Sequence, residues 1–374
     1  MPAGFVVRYT KGSSVTTFLV NFFAILPLSF NAEFAIAELI LRIGENWGGL
    51  AYITIRSDTQ VILIPTTHLY ADNCSNIVQI VSCIFLLRAK QLDVLQTNLI
   101  GGILSSILLI LGLSIVFGGI NRIQQHFNLT VAHLSANLLS LAATSLLIPT
   151  ASHLLLQTSE KNLVRLSRGA AFILLAVYAA FLVFQFYSHA NVWGSPNEKV
   201  PKRSVEHIDA TRAIAIMGAG LGAAGGACTN HEDFVSSSEV DKYRKQLSKY
   251  VLPVFLIIVV TMTAFCTQFA VDSIDALSQK ANLSKTFIGL ILLPILNNDF
   301  TPITRAIKDD LHQTMVYTIG KCLQTSLFVT PLMVIIAWCM HIDLTLNFDG
   351  FEVVSLFSSV LLLNYLIIDG RSSW

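Results

Sequence analysis

The sequence has little charge. Of its 374 residues, 13% are Asp, Glu, Lys or Arg, about half the roughly 25% of a typical globular chain. A water-soluble enzyme of this length needs a charged surface that these residues cannot supply, and a disordered chain needs more polarity still. The 24 basic and 23 acidic residues leave a net charge of +1, which gives no field for a nucleic acid. Cysteine is also scarce and unpatterned. Cys74, Cys83, Cys228, Cys266, Cys322 and Cys339 form no C-x-x-C pair, which argues against a disulfide framework or a zinc site. No nucleophile–base arrangement suggests an enzyme, and no cofactor is expected.

What the chain does have is apolar length. Hydrophobic residues make up 53% and the mean hydropathy is +0.65. A membrane span needs about 20 mostly apolar residues. Candidate spans run near 15–40, 76–88, 94–119, 130–156, 168–188, 250–272, 285–307, 313–340 and 351–369. The pattern predicts an all-α polytopic membrane protein whose first partner is the lipid bilayer. Arg8 and Lys11 precede the first run without a small-residue cleavage site, so that run reads as a retained span. Residues 190–249 form the one long polar segment, a linker outside the membrane that separates two groups of spans. Its Gly218–Ala223 stretch reads as flexible linker rather than a nucleotide loop. The loop with Lys161, Arg165 and Arg168 is basic too, one span away, so loop charge does not settle orientation. Asn128-Leu129-Thr130 matches a glycosylation triplet of a kind common by chance.

A polar stretch interrupts an apolar segment in each group. In the first it is Ser75-Asn76-Ile77-Val78-Gln79, followed by a charged turn, Arg88-Ala89-Lys90. In the second it is Asn297-Asn298-Asp299, followed by Lys308-Asp309-Asp310. Each is then followed by what reads as a small-residue helix start, Gly101–Ser106 and Gly320–Ser326. Interrupted segments at matching places point to a transporter's central site, because irregular backbone at membrane depth is tolerated where it lines a cavity. Polar helix packing is the plainer alternative.

Several motifs resemble the calcium/proton exchanger branch of the cation/calcium exchanger superfamily. Gly44–Leu50 is similar to its GETLGGL, Phe117–Gln125 to its FGG-x-NRxQQ and Ser145–Pro149 to its SLLIP. Phe287–Ile295 nearly matches its FIGLILLPI, while Leu344–Asp349 and Asn364–Gly370 resemble its LTLNFD and NYLxxDG. The combination is most similar to fungal vacuolar members. The resemblance implies two inverted-topology repeats of about five spans each, over 13–189 and 250–374, with the second one span short where the chain stops at Trp374. It also implies calcium and protons as transported ions, no nucleic-acid partner, and a multi-pass protein of the vacuolar membrane.

The departures concern the ion site. The family's first signature, GNAVE, falls on Ser75–Gln79, which keeps Asn76 and puts Gln79 at the glutamate. The second, GNAAEH, keeps Asn298 and puts its glutamate on Thr301 or on Asn298 itself, depending on the direction of counting. Asp299 is the remaining carboxylate. The family's GSSTQ reads Gly320-Lys321-Cys322-Leu323-Gln324. Arg56–Cys74 is an extra stretch, expected to be an insertion or gene-model artefact. The implied ion path therefore holds Asp299, Gln79, Asn76 and Asn298 as cation ligands, with Thr301, Ser105, Ser106, Lys321 and Gln324 beside them. A hard cation takes six to eight oxygens from such groups. Lys321 either points inward and repels a divalent cation, or snorkels, or pairs with Asp299. Glu38, Glu45 and Asp349 follow as candidates, with interfacial placement equally open, while His133, His153 and His312 read as loop or helix-end residues. Two functions remain: a cation/proton antiporter, or a transport-inactive homologue kept for assembly or regulation.

Overall fold

The computed structural model describes residues 14–43, 75–120, 124–185, 251–298, 300–308 and 310–373. Helix α1 is Ser14–Ile43, α2 Ser75–Arg88 and α3 Leu92–Gly119. Strand β1, Gln124–His126, leads to α4, Leu129–Leu156, and α5, Glu160–Val183. The second group opens with α6, Val251–Asp272, and a short amphipathic α7, Ile274–Ala281. Next come α8, three consecutive helical segments from Lys285–Phe287 to Leu293–Asn297, and α9, Thr301–Ile307. Helix α10 is Leu311–Cys339, α11 is Gly350–Ile367 and β2 is Arg371–Ser373. Among the described residues six helices are long and apolar enough to cross a membrane: α3, α4, α5, α6, α10 and α11.

Local chemistry sets the boundaries. The Asn128 side chain accepts from the backbone N–H of Thr130 and Val131 at 3.1 and 3.4 Å, so the residue of the glycosylation triplet caps α4. Ser284 caps α8 through Phe287 N–H at 3.0 Å, and Asp310 caps α10 through Gln313 N–H at 3.3 Å. Asp349 and Glu352 form a reciprocal capping box at α11,. Helix α5 begins at Glu160, so Lys161, Arg165 and Arg168 stand on its opening turns and not in the loop read from sequence. Arg168 pairs with Asp343 at 3.0 Å and lies over the Trp338 ring. Such amphipathic stems extend a span beyond its apolar run.

The central pair is α3 and α10, whose apolar windows are 61% and 67% buried, against 22% for α5 at the lipid-facing side. Helix α3 packs on α8 and α10, its C-terminal part on α9, and α4 holds α10 and α11. The two groups of spans are thus interlocked. The extended segment before α11 buries Leu344, Leu346 and Phe348 in alternation. Its backbone is paired by side chains: Ser167 Oγ accepts from Leu346 N–H, Thr150 Oγ1 donates to Leu346 O, and Gln96 Nε2 donates to Thr345 O. Irregular backbone can be buried there because its polar groups have partners.

The small-residue stretches are not helix starts. Gly101–Ser106 lies in the middle of α3, Gly320–Ser326 in the middle of α10, and each leads into a π-helical turn, Ser105–Leu111 and Thr325–Val329. Glycine weakens a helix interior by about 1 kcal/mol. Close approach accounts for its presence. A Cβ on Gly101 would collide with the backbone oxygen of Leu290, and one on Gly102 would lie 2.7 Å from Gln79 Nε2.

Candidate functional site

Four elements meet around those glycines. In the second group the helix ends at Asn297, Asn298 is extended at φ −93° and ψ 146°, and α9 restarts at Thr301. Asparagine suits the break because its amide finds side-chain partners on α3 and α10. The first group differs from the sequence expectation: Ser75–Gln79 is not unwound but forms the opening of α2. The matching polar stretches therefore have different backbones.

Asn298 is buried, and both polar atoms of its amide have partners. Its Nδ2 donates to Ser105 Oγ. Its Oδ1 accepts from Lys321 Nζ at 2.7 Å and lies 3.2 Å from Ser106 Oγ. Ser106 Oγ also lies 2.9 Å from Gly102 O, so its one proton serves either acceptor at a time,. On the other side of Gly102, the buried Gln79 accepts from Thr325 Oγ1 at 3.3 Å. Its Nε2 is buried without a hydrogen-bond partner. Thr325 is one helical turn beyond Lys321 on α10. The chain of neighbours runs from Gln79 through Gly102 and Ser106 to Asn298, then by Lys321 and Thr325 back to Gln79.

Of the residues singled out from sequence, Gln79, Asn298, Ser105, Ser106 and Lys321 are brought into this ring. Gln324 is buried on the same turn of α10. Asn76 and Thr301 stand on the first turns of α2 and α9. Asp299, Glu45, the Arg56–Cys74 insertion and the 190–249 linker lie outside the described residues. Glu38 is carried by α1. Asp349 serves α11 as a cap, away from the ring. His153 is near the end of α4, its Nδ1 3.3 Å from Thr158 O, and His312 accepts from Asn128 N–H at 3.2 Å on the first turn of α10. Sequence reading placed Thr325 and Gly102 in the small-residue stretches but not in the ion path. Thr325 was readable as the residue four beyond Lys321 on one helical face; Gly102 was not, since its neighbour is remote in sequence.

Lys321 is 3% exposed, so it does not snorkel. An ammonium within ~4 Å of a second unit charge opposes it by about 4 kcal/mol at an effective dielectric of 20. The ring supplies amide and hydroxyl oxygens suited to a hard cation, and one built-in positive charge among them.

The family comparison agrees with the architecture. The model of the family described as sodium/calcium exchanger protein matches residues 74–187 and 251–374. The chain is 29% identical to a vacuolar calcium ion transporter of Schizosaccharomyces pombe, over all of this chain and 78% of the relative. It is 26% identical to a Ca2+/H+ antiporter of Aphanothece halophytica, over all of this chain and 89% of the relative. The solved structure of native YfkE superposes with a TM-score of 0.70 at 20% identity, covering 98% of this chain and 89% of the other; at that identity the likeness shows the fold. With both groups of spans matched, the chain belongs to the sodium/calcium exchanger protein family.

Proposed function

We propose that this protein is a secondary active cation transporter of the calcium/proton antiporter kind, resident in a vacuolar membrane. The observation that carries the reading is the ring of buried polar side chains closed by α2, α3, the α8–α9 break and α10. Buried polar and ionisable side chains within a membrane protein mark substrate and ion pathways. Asn76, Gln79, Asn298 and Asp299 would line the path, and Asp299 would carry the exchanged proton. Residues 13–189 and 250–374 would be two inverted repeats; the π-helical turns at equivalent places in α3 and α10 support that reading. The relatives' printed roles, calcium transport and Ca2+/H+ antiport, support the cargo.

The Lys321–Asn298 bond favours a second reading, a transport-inactive homologue. Purified protein in acid-loaded proteoliposomes separates the two. Uptake of radioactive calcium that collapses with the proton gradient and is absent in Asp299→Asn supports antiport. Gradient-independent background alone, at every calcium concentration, establishes the inactive homologue.

A further inference from the structure

The turn that opens α11 buries a carboxyl away from the ring. Glu352 is 1% exposed. Its Oε2 accepts from Asp349 N–H at 3.4 Å, the return half of the capping box. Its Oε1 is buried without a hydrogen-bond partner. The charged groups that act on it, among the described residues, are two more carboxylates: Asp349 from its own turn and Asp93 from the first turn of α3. Both are exposed. Helix α4 also packs on α11, its Thr150 bonded to Phe348 N–H just before the cap. The titratable group at that end of α4 is His153, whose Nδ1 faces Thr158 O. Arg168, the cation that reaches the extended segment before α11, is paired with Asp343.

We propose that Glu352 is a proton-binding site separate from the cation ring, and that its protonation holds the start of α11 against α3. A desolvated carboxylate facing like charges is costly, and binding a proton removes its charge. The first turn of a helix favours a negative charge, but Asp349 already places one there. Protonated, Glu352 keeps its cap bond and leaves Asp93 and Asp349 as exposed, hydrated charges. Ionised, it gathers three negative charges at one junction and pushes the two helices apart. Helix α3 also carries Ser105 and Ser106 of the ring, so the junction and the ring share an element. The ligand here is the proton, and the inference goes beyond the cation-transport reading without resting on it.

The test is thermal unfolding of the detergent-purified full-length chain from about pH 5.5 to about pH 8.5, above the range in which a free glutamate titrates. A proton held more tightly in the folded than in the unfolded chain stabilises the fold at low pH, and that gain is lost as pH rises. Glu352→Gln keeps the capping box and nearly the same shape but cannot titrate. Its midpoint should match the wild type at low pH and exceed it by several degrees at high pH. Asp93→Asn removes one like charge and should shrink the fall seen in the wild type. Infrared difference spectra on raising the pH should show a carboxylic acid C=O band lost from the wild type and missing from Glu352→Gln. Parallel midpoint profiles for wild type and Glu352→Gln overturn the proposal, since a purely structural cap predicts them. Should Glu352→Gln fail to fold, Asp93→Asn decides, and a profile parallel to the wild type then overturns it. Neither readout needs transport, so an inactive homologue tests the proposal equally well.

Discussion

Two side chains in the ring differ from a carboxylate by one atom. Gln79 and Asn298 offer amide oxygens without a titratable proton, and each is held by named partners on other helices. Gln79→Glu should place a carboxylate against Thr325 and raise calcium affinity by about tenfold or more, since a unit charge near ~4 Å contributes kilocalories in this setting. It should also make binding weaken at low pH. Isothermal calorimetry at two pH values checks both; an unchanged titration removes Gln79 from the path. The two glycines make a paired prediction. Alanine at Gly102 would crowd the Gln79 amide, the movable end of a side chain, whereas alanine at Gly101 would press on the Leu290 backbone oxygen and on Pro294. Gly101→Ala should therefore cost stability, about 1–3 kcal/mol. Gly102→Ala should melt near the wild type but lose calcium affinity. A melting curve and a binding curve for each variant suffice.

At the scale of elements, the π-helical turns behave as one-residue insertions into α3 and α10, and such turns recur at functional sites. At their starts Ser105 N–H reaches both Gly101 O and Gly102 O, and Thr325 N–H reaches both Lys321 O and Cys322 O. Leu108 lies within the first turn and is exposed to lipid. Its deletion should restore an α-helical ladder, leave the thermal midpoint within a few degrees, and abolish transport. Loss of folding would show that the turn is structural.

The apolar lengths of α3, α4, α6 and α10 were legible, because lipid imposes a run of about 20 residues. The break at Asn298 was legible too, from polar residues after Pro294. The helical state of Ser75–Gln79 was not, since a polar run at a helix start and one in a break have the same composition. Nor was the direction of Lys321. Its four-carbon stem reaches either the interface or the core, and what decides is a triad of Ser105, Ser106 and Asn298 drawn from remote parts of the chain. The π-helical turns of α3 and α10, like the one at Ile288–Leu292 in α8, left no compositional trace, because they depend on what packs against those helices.

At the scale of the whole molecule the two groups of spans have no separate cores. Helix α6 packs on α1 and α2, and α3 lies between α8 and α10. Gln125, between α3 and α4, donates to Ala306 O of α9 at 2.8 Å, while β1 pairs antiparallel with β2. The family match begins at residue 74, where the extra stretch Arg56–Cys74 ends. Removing residues 56–74 should join the flanking segments without disturbing these contacts. The shortened chain should express better and melt several degrees higher, as followed by fluorescence-detected gel filtration. A drop in both would make the stretch a working part of the protein.

The bond geometry also carries a timetable. Ser106 and Asn298 are 192 residues apart in sequence. At roughly 5–20 residues per second a ribosome takes about 10–40 seconds to travel that far. Throughout that wait Ser106 has a local acceptor in Gly102 O, one turn back on its own helix. Lys321 follows its partner Asn298 by only 23 residues. The awkward ammonium is thus translated after both its acceptor and the serines beside it. Chain order spares the nascent protein a lone buried charge, and a ribosome that stalls between the two groups of spans leaves behind the less hazardous half.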